Sequence, residues 1–262
     1  MLASHLKERV RHKQLTLGPM LTFDFWPGYL EIFKAEGMDF AVLDMEHGAA
    51  TLQAAEELCR TARLLDFPLL IRPEASLYHL VRRYLDMGPS GLMIPWIEHP
   101  HQVDTLGEAA FLPPRGRRGP GGPSILANRS LDRAGWDEIE ASLFLVLQIE
   151  SPTGLANLTS LAQPDWIDAT MLGPYDLSLW LDHCGQLDHP DVVSAIRQVH
   201  EQSTQIGKPC GMVVGSPDQA EFWIASGFHF FIVSEATAMV RQQARFLVTT
   251  IRQRFSDKPS GG

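Results

Sequence analysis

Two carboxylate side chains stand at the ends of apolar stretches in the second half of the chain. Glu150 closes the run LFLVLQIE (143–150), and Asp176 closely follows the run IDATML (167–172). If these runs are neighbouring strands of a parallel sheet, both carboxylates lie at one edge, where their charges repel unless a cation or a proton lies between them. A hard divalent ion with oxygen ligands is the simplest resolution, and it would leave positions open for water and substrate.

Further polar side chains close apolar runs in the first half of the chain. Asp44 ends DFAVLD and is followed closely by His47, and Arg72 ends PLLIR. Carboxylates, an imidazole and a guanidinium therefore converge on one edge if these strands are adjacent. Each carboxylate also has a structural alternative: Asp44 and Asp176 could cap helices, and Glu150 could be an exposed residue in a first helical turn.

The apolar runs alternate with amphipathic segments along the whole chain. Most runs are apolar on both faces, as buried strands of a parallel sheet are, whereas 51–66 and 235–254 have the apolar spacing of helices. Eight strands, each followed by a helix, predict a (βα)8 TIM barrel of about 250 residues, with its chemistry at the carboxyl ends of the strands. The predicted strands are 15–23, 39–44, 68–72, 90–95, 143–150, 167–172, 209–214 and 228–234.

Composition and missing motifs exclude several other classes of protein. The chain has 22 basic and 31 acidic residues and a net charge of −9, which argues against nucleic-acid binding. No apolar stretch is long enough to span a membrane. The motifs GxGxxG, GxxxxGK[ST] and GxSxG are absent, which removes support for nucleotide binding, for a doubly wound dinucleotide fold and for a serine hydrolase. No lysine lies at the carboxyl end of a predicted strand, so Schiff-base chemistry is not supported.

The cysteines and the amino terminus indicate a cytoplasmic protein. Cys59, Cys184 and Cys210 are far apart and form no CxxC motif, which fits a reducing compartment. The first residues, MLASHLKERVRHK, lack the apolar segment of a signal peptide.

Six stretches carry a resemblance to a known family. They are GMDFAVLDMEHG (37–48), LLIRP (69–73), GLMIPWIE (91–98), PPRGRRGPG (113–121), LQIESPTGLANL (147–158) and LGPYDLS (172–178). Together they resemble the HpcH/HpaI family of metal-dependent, class II pyruvate aldolases, such as the 4-hydroxy-2-oxoheptanedioate and 2-dehydro-3-deoxyglucarate aldolases. The resemblance extends over nearly the whole chain.

This resemblance implies a barrel of the phosphoenolpyruvate/pyruvate-domain type and a role for each residue. Glu150 and Asp176 would hold a divalent ion, which would be Mg, Mn or Co. Arg72 would contact the keto oxygen of pyruvate and stabilise its enolate, and His47, supported by Asp44, would move the proton. The implied substrate-binding residues are Arg72, Gln148, Gly173, Pro174, Tyr175 and Asp176. The implied reaction cleaves a 4-hydroxy-2-oxoacid into pyruvate and an aldehyde.

Two other activities fit the same residues. One is a citrate-synthase-like condensation of an acyl thioester with a 2-oxoacid, as in siderophore biosynthesis; the other is binding of a 2-oxoacid without turnover. Trp96 is bulkier than the residue usual at its position, and Ser234 and Glu235 stand where an Asp is more frequent, so the shape of the aldehyde pocket is left open. The family resemblance also implies a homo-oligomer, commonly a hexamer with a swapped terminal helix.

A second group of possible metal ligands is Glu98, His99 and His101. Their E-H-x-H pattern could bind zinc. The group follows the fourth predicted strand beside Pro100, where a capping or surface role is the alternative.

We expect a single domain over 1–262, with a Gly/Pro/Arg-rich loop at 112–131 and a frayed tail at 256–262. The loop contains three arginines that could bind an anionic substrate, contact another subunit or be solvated: Arg115, Arg117 and Arg118.

Overall fold

A computed structural model describes residues 2–122 and 130–256 as a closed barrel of eight parallel strands, in which each strand pairs with its sequence neighbours and β8 pairs with β1. The predicted (βα)8 TIM barrel is therefore confirmed. Seven of the predicted strands contain the observed one, and the eighth observed strand ends one residue later than predicted, at Glu235. The strands are β1 Thr16–Leu21, β2 Ala41–Asp44, β3 Leu69–Arg72, β4 Gly91–Ile94, β5 Phe144–Ile149, β6 Ala169–Leu172, β7 Cys210–Val214 and β8 Phe230–Glu235.

Helices surround the barrel, and several begin with a side-chain cap and a proline in the first turn. Ser151 accepts the Gly154 amide at 3.1 Å, and Ser216 accepts the Gln219 amide at 3.3 Å, where each replaces a missing intrahelical bond. The helices are α1 Leu2–Arg11, α2 Gly28–Ala35, α3 Leu52–Leu65, α4 Tyr78–Asp86, α5 Pro100–Ala110, α6 Arg133–Ser142, α7 Pro152–Leu161, α8 Pro174–Trp180, α9 Pro190–Gln205, α10 Pro217–Ala225 and α11 Ala236–Ser256.

Side-chain alternation along the strands determines which residues face the barrel interior. Val42, Leu70 and Val146 belong to the cluster that fills the barrel. Since side chains alternate between the two faces of a strand, the residues two positions further on point the same way. These positions are occupied by Asp44 and Arg72 at the ends of β2 and β3, and by a glutamine and then a glutamate at the end of β5.

The amino end of the barrel is closed by α1. Leu6 and Val10 of this helix join the interior cluster beside Phe144 and Phe230. Lys7 anchors the helix by an ion pair of 3.0 Å with Asp168. Because apolar side chains fill this end, the polar residues at the carboxyl end form the barrel's open mouth.

The described part of the predicted 112–131 loop is held by ion pairs within the chain. Arg118 is buried and lies 2.9 Å from Asp86, and Arg115 lies 3.3 Å from Glu140. Arg117 pairs with a glutamate of α5, so each of the three arginines already has an acidic partner. Residues 123–129 of this loop, and 257–262 of the predicted tail, lie outside the described residues.

Candidate active site

A buried ion pair joins the ends of β2 and β3. The strand register places Asp44 opposite Arg72, and Asp44 accepts hydrogen bonds from Arg72 Nε at 2.9 Å and Nη2 at 2.7 Å. Although burial raises the pKa of Asp44, the hydrogen bonds and charge of Arg72 hold that pKa below its usual value. The guanidinium therefore has a fixed position and remains charged.

Glu46 is the second carboxylate beside this guanidinium, and sequence reasoning did not assign it a role. Its Oε2 lies 3.3 Å from Arg72 Nε, and its Oε1 accepts the indole N–H of Trp96 at 2.9 Å. Burial raises the pKa of Glu46 even though Arg72 and Trp96 favour its charged form. Its position two residues after Asp44 was the available signal, since alternate residues of an extended segment share a face.

Trp96 connects two carboxylates of the site. Its backbone N–H donates to Glu150 Oε2 at 3.0 Å, while its indole reaches Glu46. The residue has φ of +52°, a left-handed conformation that is unfavourable for a bulky side chain. The Gln102 amide donates to the Trp96 carbonyl at 2.8 Å and so holds this conformation.

Glu150 is 3% exposed and follows the end of β5. Its Oε1 accepts the side-chain amide of Gln148 at 2.7 Å. Burial raises the pKa of Glu150 to about 8, and the negative charges of Asp176 and Glu46 raise it further. The alternative of an exposed first-turn residue is therefore wrong, because Ser151 caps α7 and the glutamate side chain points into the barrel mouth.

Asp176 lies in the first turn of α8, which begins directly after β6. The helix cap is Gly173, where a Cβ atom would lie only 2.8 Å from Glu150 Oε1. A glycine at this position therefore lets the helix start pack against the buried carboxylate. The first intrahelical hydrogen bond is from Leu177 N–H to the Gly173 carbonyl at 3.1 Å. The backbone amides of Tyr175 and Asp176 come before it, so they have no acceptor within the helix and point out of its amino end.

These residues fit a divalent cation. Glu150 is buried next to two other negative charges, which favours either a proton or a metal ion at that carboxylate. The side-chain oxygen of Gln148 is also buried, and no described residue donates a hydrogen bond to it. Carboxylate and amide oxygens are the ligands preferred by Mg²⁺ and Mn²⁺.

His47 lies at the rim of the mouth, and its side chain is 59% exposed. Its Nε2 is 3.7 Å from Glu46 Oε2, whereas Asp44 accepts the backbone N–H of His47 at 3.3 Å. The expected support of His47 by Asp44 therefore acts on the backbone, because the Asp44 oxygens are already used by Arg72 and two amides. The carboxylate next to the imidazole is Glu46.

Two other sequence predictions concern Tyr175 and the E-H-x-H segment. Tyr175 turns its side chain outward, 3.8 Å from Cys184 Sγ, so only its backbone faces the mouth. His99 caps α5, and its ring stacks on His101 at 5.7 Å. Glu98 instead accepts the hydroxyl of Ser151. The alternative of capping and surface roles for this E-H-x-H segment therefore describes it better than a zinc site.

Comparison with known proteins identifies the family. Residues 25–242 match the model of the protein family described as HpcH/HpaI aldolase/citrate lyase. The chain belongs to this family. A hydroxypyruvate/pyruvate aldolase of Deinococcus radiodurans is 32% identical over 90% of this chain and 87% of its own. A 2-keto-3-deoxy-L-rhamnonate aldolase of Escherichia coli is 30% identical over 91% and 90%. The crystal structure of an HpcH/HpaI aldolase from Desulfitobacterium hafniense has a TM-score of 0.88 at 25% identity and covers 98% of both chains.

A citrate lyase beta subunit from M. tuberculosis, solved in complex with oxaloacetate and magnesium, has a TM-score of 0.54 at 19% identity and covers 88% of this chain and 95% of its own. In the part of the chain that the structure describes, no helix combines the length and apolarity needed to cross a membrane.

Proposed function

We propose that this HpcH/HpaI family member is a class II pyruvate aldolase, which cleaves a 4-hydroxy-2-oxoacid to pyruvate and an aldehyde. The observation that carries the proposal is the buried Glu150. The negative charge of Asp176 raises the pKa of this carboxyl and the positive charge of Arg72 lowers it, and Arg72 is itself held in place by Asp44. Such a site can stabilise the negative charge that forms when the C3–C4 bond breaks. The aldolase relatives support the same reaction.

Glu150 and Asp176 would hold the divalent ion, which we propose to be Mg²⁺, Mn²⁺ or Co²⁺. When bound, it would act as a Lewis acid toward the carboxylate and C2 oxygen of the 2-oxoacid. Trp96 N–H and the Gln148 amide fix both oxygens of Glu150. The backbone amides of Tyr175 and Asp176, together with Gly173 and Pro174 before them, would receive the substrate carboxylate.

Arg72 would donate to the C2 oxygen of the substrate. Asp44 holds its Nε and Nη2, which leaves the Nη1 group for an oxygen in the mouth. In the cleavage direction a base removes the C4 hydroxyl proton, the aldehyde leaves, and the C3–C4 electron pair forms an enolate that is protonated at C3. His47 would be that base, since its imidazole is exposed at the mouth and an imidazole is the side chain that most often acts as a general base.

We also propose that the protein is a homo-oligomer, a hexamer by family resemblance. The 21-residue helix α11 supports this assignment, because after residue 239 its apolar side chains are exposed. A groove of about 520 Å³ lies beside its start and is lined by Leu17, Ile224 and Met239. The exposed apolar residues are Val240, Phe246, Leu247, Val248, Ile251 and Phe255.

The oligomer is tested by light scattering of the Phe246→Asp/Ile251→Asp variant. The wild type is expected as a hexamer and the variant as a smaller species. A wild-type monomer would overturn the assignment.

We further propose a cytoplasmic location, which the free thiols of Cys59, Cys184 and Cys210 support.

The aldolase is tested by pyruvate release from a panel of 4-hydroxy-2-oxoacids in the presence of Mg²⁺, Mn²⁺ or Co²⁺. We expect release that stops in excess EDTA and is lost in Glu150→Gln. Consumption of oxaloacetate with an acyl thioester, without pyruvate release, would instead indicate the condensation reaction, and binding of 2-oxoacids without either would indicate a non-catalytic barrel. Neither alternative is favoured by the aldolase relatives.

A further inference from the structure

Two histidines and an aspartate converge outside the active site, at the start of α9. His183 Nε2 lies 3.1 Å from Asp191 Oδ2, and His189 Nδ1 lies 3.7 Å from the same oxygen. The three ligand atoms are within 4.8 Å of one another, and within residues 2–122 and 130–256 this is the one group of three such side chains that converges in this way. The aldolase chemistry proposed above uses none of them.

The backbone between α8 and α9 brings these residues together. Asp182 adopts a left-handed φ of +63°, and the His183 N–H then donates to the Ser178 carbonyl at 2.8 Å. Two further turns follow, and the two imidazole rings stack at 3.4 Å. Pro190 in the first turn of α9 fixes the His189 backbone as the helix cap. The side chains are therefore held close together by local structure before any ligand binds.

The distances match those of a metal site with nitrogen ligands. A tetrahedral Zn²⁺ ion with ligand bonds of about 2.0–2.2 Å places its ligand atoms roughly 3.3–3.6 Å apart. The distances from the two imidazole nitrogens to Asp191 Oδ2, 3.1 and 3.7 Å, bracket that range. His189 Nδ1 accepts a long hydrogen bond of 3.3 Å from the Asp191 N–H, so this nitrogen carries no proton, and a bound ion would replace that hydrogen bond at the same lone pair.

An ordinary surface ion pair explains this arrangement less well. An ion pair would require protonated imidazoles, and two cationic rings stacked at 3.4 Å would repel each other. With neutral imidazoles, His183 Nε2–H can donate to Asp191 Oδ2 at 3.1 Å, while the unprotonated Nδ1 of His189 lies 3.7 Å from the same oxygen. The other tautomer of His183 turns a lone pair toward that carboxylate, where a cation would take the place of the proton. The Asp191 side chain is 68% exposed, which leaves room for water or another ligand in the fourth position.

We propose that His183, His189 and Asp191 form a second metal site, specific for a borderline transition-metal ion such as Zn²⁺, Co²⁺ or Ni²⁺. Imidazole ligands favour these ions, whereas Mg²⁺ prefers oxygen ligands. The ion would tie the 181–189 segment to α9. The site is independent of the aldolase proposal, because its donors differ from Glu150 and Asp176.

The test measures Zn²⁺ uptake by untagged full-length protein at saturating Mg²⁺, using equilibrium dialysis at micromolar Zn²⁺. The Glu150→Gln variant serves as the parent, so that the active site does not contribute. We expect one Zn²⁺ per chain in the parent and a loss of affinity of at least about a hundredfold when His183→Ala or Asp191→Asn is added. His101→Ala, which removes an exposed imidazole stacked on another, is the matched control and should keep the full uptake.

Co²⁺ gives an independent readout. Bound to the parent, Co²⁺ should show the intense visible absorption of a four-coordinate ion, and His183→Ala should abolish it. In the otherwise wild-type enzyme, His183→Ala should leave Mg²⁺-supported aldolase activity unchanged. Equal Zn²⁺ uptake by the parent and the His183→Ala variant would overturn the proposal, as would a parent that binds no Zn²⁺. Loss of Zn²⁺ uptake in Glu150→Gln with retention in wild type would assign the ion to the active site and would also overturn it.

Discussion

Metal binding at the mouth of the barrel should depend strongly on pH because a proton competes for Glu150. Burial raises the pKa of this carboxyl to about 8, with the charges of Asp176 and Glu46 acting in the same direction. Below that pH the metal-free side chain is protonated, and a divalent ion must displace the proton to bind. The affinity for Mg²⁺ or Mn²⁺ is therefore expected to rise with pH and to level off above about pH 8.

The size of the effect follows from the pKa. At pH 6, two units below the pKa, only about 1% of the metal-free protein has an ionised Glu150, so the apparent affinity should be about a hundredfold weaker than the plateau value. This corresponds to about 2.7 kcal/mol, at about 1.36 kcal/mol per pH unit. The assay is titration with Mn²⁺ between pH 6 and pH 9, with free Mn²⁺ measured by electron paramagnetic resonance.

Glu150→Gln provides the control for this experiment. The amide has nearly the shape of the carboxyl but cannot titrate, so the variant should bind Mn²⁺ weakly and with little change between pH 6 and pH 8. A wild-type affinity that stays constant over this interval would refute the reasoning, because it would mean that no proton leaves Glu150 when the ion binds.

Three further substitutions test individual contacts. Arg72→Ala leaves Asp44 buried without its cationic partner, so the free energy of unfolding in urea should fall by about 3–5 kcal/mol. Activity should be at least about a hundredfold lower in the fraction that remains folded. A stability unchanged from wild type would contradict the buried ion pair. Trp96→Phe removes the indole donor that favours the charged form of Glu46. The pKa of Glu46 should therefore rise, so kcat/KM should fall at least about tenfold and the acid limb of its pH profile should move to higher pH. An unchanged profile would show that this hydrogen bond does not affect the ionisation on which activity depends. Gly173→Ala places a methyl group against Glu150, so Mn²⁺ affinity at pH 8 should fall at least about tenfold, and wild-type affinity would mean that the helix start adjusts freely.

The barrel could be predicted because its strands are buried on both faces and its helices are amphipathic. The strand that ends in Asp44, AVLD, contains only apolar residues before its last position, so a polar residue there marks the strand end. The number of such runs then fixes the closure of the barrel, since eight strand–helix units leave few other arrangements. The positions of Glu150 and Asp176 at the mouth follow from the same argument.

The contacts between loops could not be predicted in this way. Trp96 reaches Glu46 and Glu150, each separated from it by about fifty residues of sequence, and no local pattern encodes the left-handed backbone that makes this possible. The same holds for His183 and His189, which converge because of successive turns after Asp182. The E-H-x-H segment, by contrast, has ligand types at close spacing, but its first histidine caps a helix. Spacing alone does not distinguish a cap from a ligand.

The central claim is that the cation site of Glu150 and Asp176 allows a 2-oxoacid to form an enolate. It is tested most directly by exchange of the pyruvate methyl protons in D₂O, which requires no knowledge of the natural aldehyde. With Mg²⁺ present, the methyl signal of pyruvate in the proton NMR spectrum should disappear in the presence of enzyme. The signal should persist when EDTA is added or when Glu150→Gln replaces the wild type. Exchange at the same rate with and without the metal ion, or no exchange at all by the Mg²⁺-loaded wild type, would contradict the account.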